Sequence, residues 1–324
     1  YYQYDDALRQ LTAGRRRLGQ PTAFAYEMGA IYENKGQMAP ALREYLAGAL
    51  ATEGESTARR RLIRLARRQP VEAMVAGLPL NGQSVSLRVA LLEAQGRRDD
   101  LEKYLTATAG QSADAELLGQ LADVAMRNAL RGVQRAVYAR QIGLATDPLE
   151  GLQLRLAKAR FEEAQRNVDG ARGEMEALLR ANPKRLAIVR AAAEFEKRAG
   201  NGKRAVAILR AAADAAHPAL QRTLWLEAGR EADAATGLVL ADLVLGKDPL
   251  DGDGIALKAG AYAKTNDDRG LTAFYQAKLK ELKDPDRVAA LRVAYIPALT
   301  RLKDYRGAVD QYIELAKRSP EDEN

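Results

Sequence analysis

An alanine recurs along this chain roughly every 34 residues, and that period constrains the fold more than any other feature. Ala7, in Tyr4-Asp5-Asp6-Ala7, is followed by Ala41; Ala171 is followed by Ala205 at the same distance; Ala136 precedes Ala171 by one position more. A second spacing is nested inside the first. A small residue stands 12 before the alanine (Gly29 before Ala41, Ala159 before Ala171, Ala193 before Ala205), and a proline stands 12 after it (Pro148, Pro183, Pro320). A large apolar residue follows the alanine by four, as in Tyr45, Met175, Leu209 and Tyr312. Self-similarity at a period of this order is the signature of a repeat architecture.

Packing explains the nested spacing. Two antiparallel helices cross closely only where small side chains occupy the crossing point, so Gly or Ala on a first helix faces Ala on the second. The residue four further on lies on the same face and fills the next gap. Proline then stops the second helix, because it lacks an amide hydrogen and disfavours helix in the residue before it. Short Gly, Asn and Asp turns, such as Asn167-Val168-Asp169-Gly170 and Gly200-Asn201-Gly202, join the helices of a pair. No alternating strand pattern occurs along the chain.

With these residues in place, the chain resembles the tetratricopeptide repeat family, as a degenerate, bacterial-type array. Met28-Gly29-Ala30-Ile31-Tyr32 followed by Ala41-Leu42-Arg43-Glu44-Tyr45 carries the likeness, as does Lys303-Asp304-Tyr305-Arg306-Gly307-Ala308 through Pro320. The only tryptophan fits it too: Trp225, Ala228 and Gly229 have the spacing of that family's first helix, and Ala241 follows Gly229 by 12. The resemblance implies an all-α, right-handed solenoid of antiparallel helix hairpins with one concave groove lined by first helices. It also implies a non-enzymatic scaffold or adaptor that receives a peptide or partner protein in that groove.

The period divides the chain, as a single solenoid over 1–324, into a partial hairpin at 1–20, a repeat at 21–54 and irregular hairpins at 55–112. Six further hairpins follow at 113–149, 150–183, 184–218, 219–249, 250–285 and 286–320, with a tail at 321–324. In 55–112 the helices read as short, and only Gly96, Leu101 and Leu105 suggest a regular unit. At 250–285 the register reads equally from Leu271 or Ala273. The first segment reads as a second helix without its first, and no polar capping helix closes the array. Solenoids shield their terminal repeats, so the expectation is a piece of a longer array, or ends covered by a partner or a second copy.

Composition excludes several function classes. There is no cysteine, which removes disulfides, thiolate nucleophiles and cysteine metal sites. The only histidine, His217, lies at an expected helix end without a companion ligand or partner base. Asp251-Gly252-Asp253-Gly254 lacks the remaining ligands of a calcium loop and reads as a turn with a helix N-cap. Carboxylate pairs at Asp5-Asp6, Asp99-Asp100, Glu162-Glu163 and Asp267-Asp268 leave a carboxylate-based hydrolase as a third reading. Against it stands an aromatic content of 6% with one Trp, too sparse for sugar stacking. No glycine-rich phosphate loop follows a strand. No catalytic residue, cofactor site or metal site is assigned.

No stretch is apolar and long enough to span a membrane. The chain does not begin with Met, so it reads as a processed product or an excised piece of a soluble protein, any targeting signal already removed; cytoplasmic and extracytoplasmic compartments stay open. A net charge of +7 fits ordinary solubility. Arg15-Arg16-Arg17 reads as a helix end. Within Arg59–Arg68, Arg60, Arg64, Arg67 and Arg68 form one stripe, read as a solvated face.

Counting from the repeat phase, the groove residues are Tyr26, Glu33 and Asn34 in the second unit, Asn128 further on, and Arg160, Glu163, Arg190, Glu194 and Lys197 in the two most regular units. The mixed signs suit an amphipathic peptide. Some family members clamp a C-terminal carboxylate with Lys and Asn; the equivalent positions here hold Tyr26 and Ala30, so that clamp is not evident. The alternative is an RNA reader with one base per repeat. It needs a recurring pair of base-reading residues, and none recurs, so a nucleic-acid partner is not expected.

Overall fold

The computed structural model describes residues 3–52 and 54–317; Tyr1, Tyr2, Pro320 and the 321–324 tail lie outside the described residues. Every element among the described residues is an α-helix, so the all-α solenoid expected from the period is what the chain forms. The chain divides into two compact units, one up to Lys158 and one from Ala159 onward.

In the first unit the helices are α1 (Tyr4–Leu18), α2 (Ala25–Asn34), α3 (Met38–Leu50), α4 (Thr57–Ala66), α5 (Glu72–Val75), α6 (Gly82–Ala94), α7 (Arg98–Gln111), α8 (Ala115–Arg127) and α9 (Arg131–Leu144). The division falls within α10 (Pro148–Ala164). The second unit continues with α11 (Val168–Ala181), α12 (Leu186–Arg198), α13 (Gly202–Asp214), α14 (Pro218–Glu231), α15 (Ala234–Lys247), α16 (Gly252–Lys264), α17 (Asp268–Glu281), α18 (Pro285–Arg301) and α19 (Tyr305–Ala316). Consecutive helices pack as hairpins (α2 on α3, α8 on α9, α12 on α13, α14 on α15, α18 on α19), and second helices pack on the first helix that follows, as α3 does on α4, α13 on α14 and α15 on α16.

The crossing points are tight for the reason the spacing gave. Ala41, Ala171 and Ala205 are buried, as are their partners Gly29, Ala159 and Ala193. Tyr45, Met175 and Leu209, four positions on, are buried beside them. Tyr312 differs: it is exposed together with Val309 and Ile313, because nothing among the described residues packs on that face of α19. Trp225 is buried in a core with Leu209, Leu224, Leu240 and Val244.

Two turn devices repeat. The residue just before the second helix's N-cap takes the left-handed conformation in most hairpins: Gly36, Gly96, Ala129, Arg166, Gly200, Asn266 and Lys303. The second device is a buried glutamate that locks the turn. Asn167 Nδ2 donates to Glu162 Oε2 at 2.8 Å, and one period later Asn201 Nδ2 donates to Glu196 Oε2 at 3.1 Å. Backbone bonds run alongside, from Asn167 N to Glu162 O and from Asn201 N to Glu196 O.

The segment 55–112 is only half irregular. Helices α4 and α5 are short, and the chain between them and α6 carries Pro70 and Pro79, which end helices. Helices α6 and α7 have ordinary length and form a regular pair with Leu101 and Leu105 buried. At 250–285 Leu271 takes the buried position and Ala273 is exposed; burying the larger apolar side chain is worth more.

Candidate functional site

In the first unit, Tyr26 on α2 is exposed, with its ring centroid 6.0 Å from that of Tyr45. Glu33 is engaged internally: it accepts from Tyr45 Oη at 2.9 Å and from the Arg61 guanidinium, Nε at 2.9 Å. Arg61 holds the Glu33 carboxyl below its usual range, against the opposing pull of burial. Asn34 is exposed at the end of α2. Asn128, the C-cap of α8, donates Nδ2 to Glu93 Oε1 of α6 at 2.8 Å and to its own helix at Val124 O.

In the second unit, the charges placed by the repeat phase join successive first helices. Arg198 of α12 grips Glu163 of α10 with Nε and Nη2 at 2.8 and 3.0 Å. Arg190 of α12 grips Glu227 of α14 at 3.2 and 2.7 Å, and Lys197 Nζ reaches Glu231 Oε1 at 2.6 Å. Lys264 of α16 donates to the Ala232 carbonyl at 2.6 Å. Each of these contacts spans about one period of the sequence. The partners depress the Glu163 carboxyl and raise Arg190, Lys197 and Arg198, in each case first through the hydrogen bond. Arg160 and Glu194 are exposed and make no side-chain hydrogen bond among the described residues; each adds only a charge beside this ladder. Five of the groove positions (Glu33, Asn128, Glu163, Arg190 and Lys197) are therefore spent on bridges that sequence phase alone did not reveal.

A cleft of about 770 Å³ opens in the first unit against α4, α6 and α8. Behind it lies buried core, with Val85 and Val89 of α6 packed among Leu117, Leu121 and Val124 of α8, and the surface the cleft presents is mainly polar. The walls carry Glu93, Asp114, Glu116 and Asp123 against two cations, Arg59 and Arg127. None of these was singled out as a groove residue. Arg59 was hidden in a basic run, yet it shares a helical face with Leu62 and Ala66, which the spacing of three and seven already exposes. It is only 5% exposed, whereas Arg60, Arg64, Arg67 and Arg68 face solvent as their stripe predicts.

The other chemical candidates resolve into structure. His217 caps α14, its Nδ1 accepting from Ala219 N at 3.4 Å. Asp251 caps α16 through Gly254 N at 2.8 Å and binds Arg222 Nη2 at 3.0 Å. In the carboxylate pairs, Asp5 meets Lys35, Asp100 meets Arg97, Asp267 caps α17 and Asp268 meets Arg301. Among the described residues no cluster of three metal-ligating side chains exists, and no helix is long and apolar enough to cross a membrane.

No family model and no curated protein matches the chain. Among solved structures, it is similar to a structure of Naa15/Naa10 bound to HypK-THB at 13% identity and a TM-score of 0.35, over 98% of this chain and 51% of that one. It is also similar to the APC/C hetero-tetramer Cut9-Hcn1, at 15% identity and a TM-score of 0.28, over 93% of this chain and 67% of that one. The chain thus spans about half the length of the first of these.

Proposed function

We propose that this chain is a non-enzymatic scaffold or adaptor that holds a peptide or partner protein against its first helices. The cleft on α4, α6 and α8 carries the reading: a concave, mainly polar surface along successive first helices offers partners for the backbone and side chains of a bound peptide. The hairpin packing and the resemblance to tetratricopeptide repeats support the same role. An RNA partner fits this surface poorly, since four carboxylates against two guanidinium groups repel a phosphate backbone. Self-association fits the exposed face of α19, where Tyr305, Val309, Tyr312 and Ile313 share one helical stripe.

Random-peptide display against the full chain tests the proposal, beside a gel-shift salt series with single-stranded RNA. Selected peptides that compete with one another support the scaffold reading. RNA binding that survives physiological salt, with no peptide selected, overturns it.

A further inference from the structure

Arg59 is a buried cation with an unmet donor. Its side chain is 7% exposed, Nη2 donates to Ser86 Oγ at 2.9 Å, and Nε has no hydrogen-bond acceptor. The nearest carboxylate, Glu55, stands 3.8 Å from Nε and is itself 72% exposed. A buried N–H left without an acceptor is costly, and both Arg59 and Ser86 line the cleft. The Arg59 guanidinium, bonded to Ser86 alone, therefore keeps donor capacity unused beside the cleft.

The walls call for the opposite charge. Glu116 and Asp123 lie two turns apart on α8, on one stripe with Gln120. Both are exposed and neither side chain has an ion-pair partner among the described residues, while Glu93 faces them from α6. The chain as a whole carries +7, whereas this cleft gathers four carboxylates against two guanidinium groups, so a cationic segment is drawn to it. An acidic segment in the cleft would meet those four carboxylates against only the two guanidinium groups.

We infer that the cleft takes an extended, basic stretch of a partner protein, whose main chain offers a carbonyl to the Arg59 guanidinium and whose lysine or arginine side chains reach Glu93, Glu116 and Asp123. This rests on the peptide-scaffold reading and names its ligand chemistry. Geometry adds a register. Two turns of helix advance about 10.5 Å along α8, the reach of roughly three residues of extended chain. Side chains on one face of an extended chain recur every second residue, so the ligand should carry two cations on one face, about four residues apart, with the flexible lysine or arginine stems taking up the difference in length.

Fluorescence anisotropy of short labelled peptides with the full chain tests this. One peptide carries two lysines four apart; a second replaces both lysines with glutamate. The basic peptide should bind more tightly, and Glu116→Gln with Asp123→Asn should weaken it about threefold to tenfold, the effect fading as salt rises. Arg59→Met, checked for helicity, should weaken it by about tenfold, even though the change removes a positive charge that repels the basic ligand. If that variant does not fold, Asp123→Lys on the exposed wall decides the question alone. Tighter binding of the acidic peptide overturns the inference. So does indifference to the α8 carboxylates when display-selected peptides still bind, and the scaffold reading survives that result. Failure of every peptide together with salt-resistant RNA binding sinks the scaffold reading itself.

Discussion

The ring of Tyr45 stands where a side chain at Gly29 would have to go: a Cβ at position 29 would lie 2.6 Å from Tyr45 Cε1. The same ring is held from its far end, since its hydroxyl donates to Glu33 Oε2 at 2.9 Å. It cannot retreat without losing that bond. Gly29→Ala should therefore destabilise the first unit by about 1–3 kcal/mol. A urea unfolding curve with an unmoved midpoint would show that α2 and α3 are less closely crossed than described.

The crossing alanines of the second unit answer to the same logic. Ala171→Leu or Ala205→Leu should cost about 1–3 kcal/mol, because added methylenes must enter a filled crossing. Arg64→Leu, on the solvated stripe of α4, should change stability by under about 0.5 kcal/mol. Equal effects at the two kinds of site in chemical denaturation would mean that the repeat phase is wrong.

The left-handed turn residues give a paired test. Gly200 and Arg166 hold equivalent places one period apart, with φ of 80° and 60°. Left-handed backbone costs a residue with a Cβ about 1–2 kcal/mol. Gly200→Ala should lower stability by about 1 kcal/mol, and Arg166→Gly should move it the other way by a smaller amount, since glycine gives back part of the gain in chain entropy. Thermal midpoints of the two variants shifting in the same direction would contradict this.

The ladder of the second unit predicts a measurable coupling. A double-mutant cycle on Arg198→Ala and Glu163→Ala should yield about 0.2–1 kcal/mol, the worth of an exposed pair. It should shrink as salt screens the charges. A coupling of zero at low salt would remove the pair from the structure's support.

Asp251 sets an acid limb. The Arg222 guanidinium holds its carboxyl below the ordinary range, and the Gly254 amide adds to that pull, against burial. A depressed folded pKa contributes stability that is present above the unfolded value of roughly 3.9 and is lost as pH falls through the folded value. Asp251→Asn should therefore lower the urea midpoint at neutral pH and leave a flatter profile below about pH 4. Parallel profiles for the variant and the unaltered chain would exclude the pair as the cause.

How much of this the sequence discloses depends on the kind of constraint. A close helix crossing leaves its mark at single positions, so Ala171, Ala205 and Gly29 are legible one residue at a time. The register at Leu271 is not, because two apolar residues two apart satisfy the same pattern until packing chooses. The ladder needs knowledge of which turn of α12 faces which turn of α14. Its trace in the sequence is faint, as opposite signs one period apart at Glu163 and Arg198 or Lys197 and Glu231. Arg59 is the hardest case: an arginine among arginines looks solvated, and only its helical face, shared with Leu62 and Ala66, betrays its burial.

The bridges among Glu163, Arg198, Lys197 and Glu231 also set two kinds of contact side by side in the second unit. They sit in solvent, where a Debye length of about 10 Å at 0.1 M ionic strength already weakens them. The apolar contacts of Leu224, Leu240 and Val244 feel no such screening. Ionic strength therefore acts selectively: raising it loosens the solvent-side bridges between α10, α12 and α14 while the apolar core of the hairpins holds.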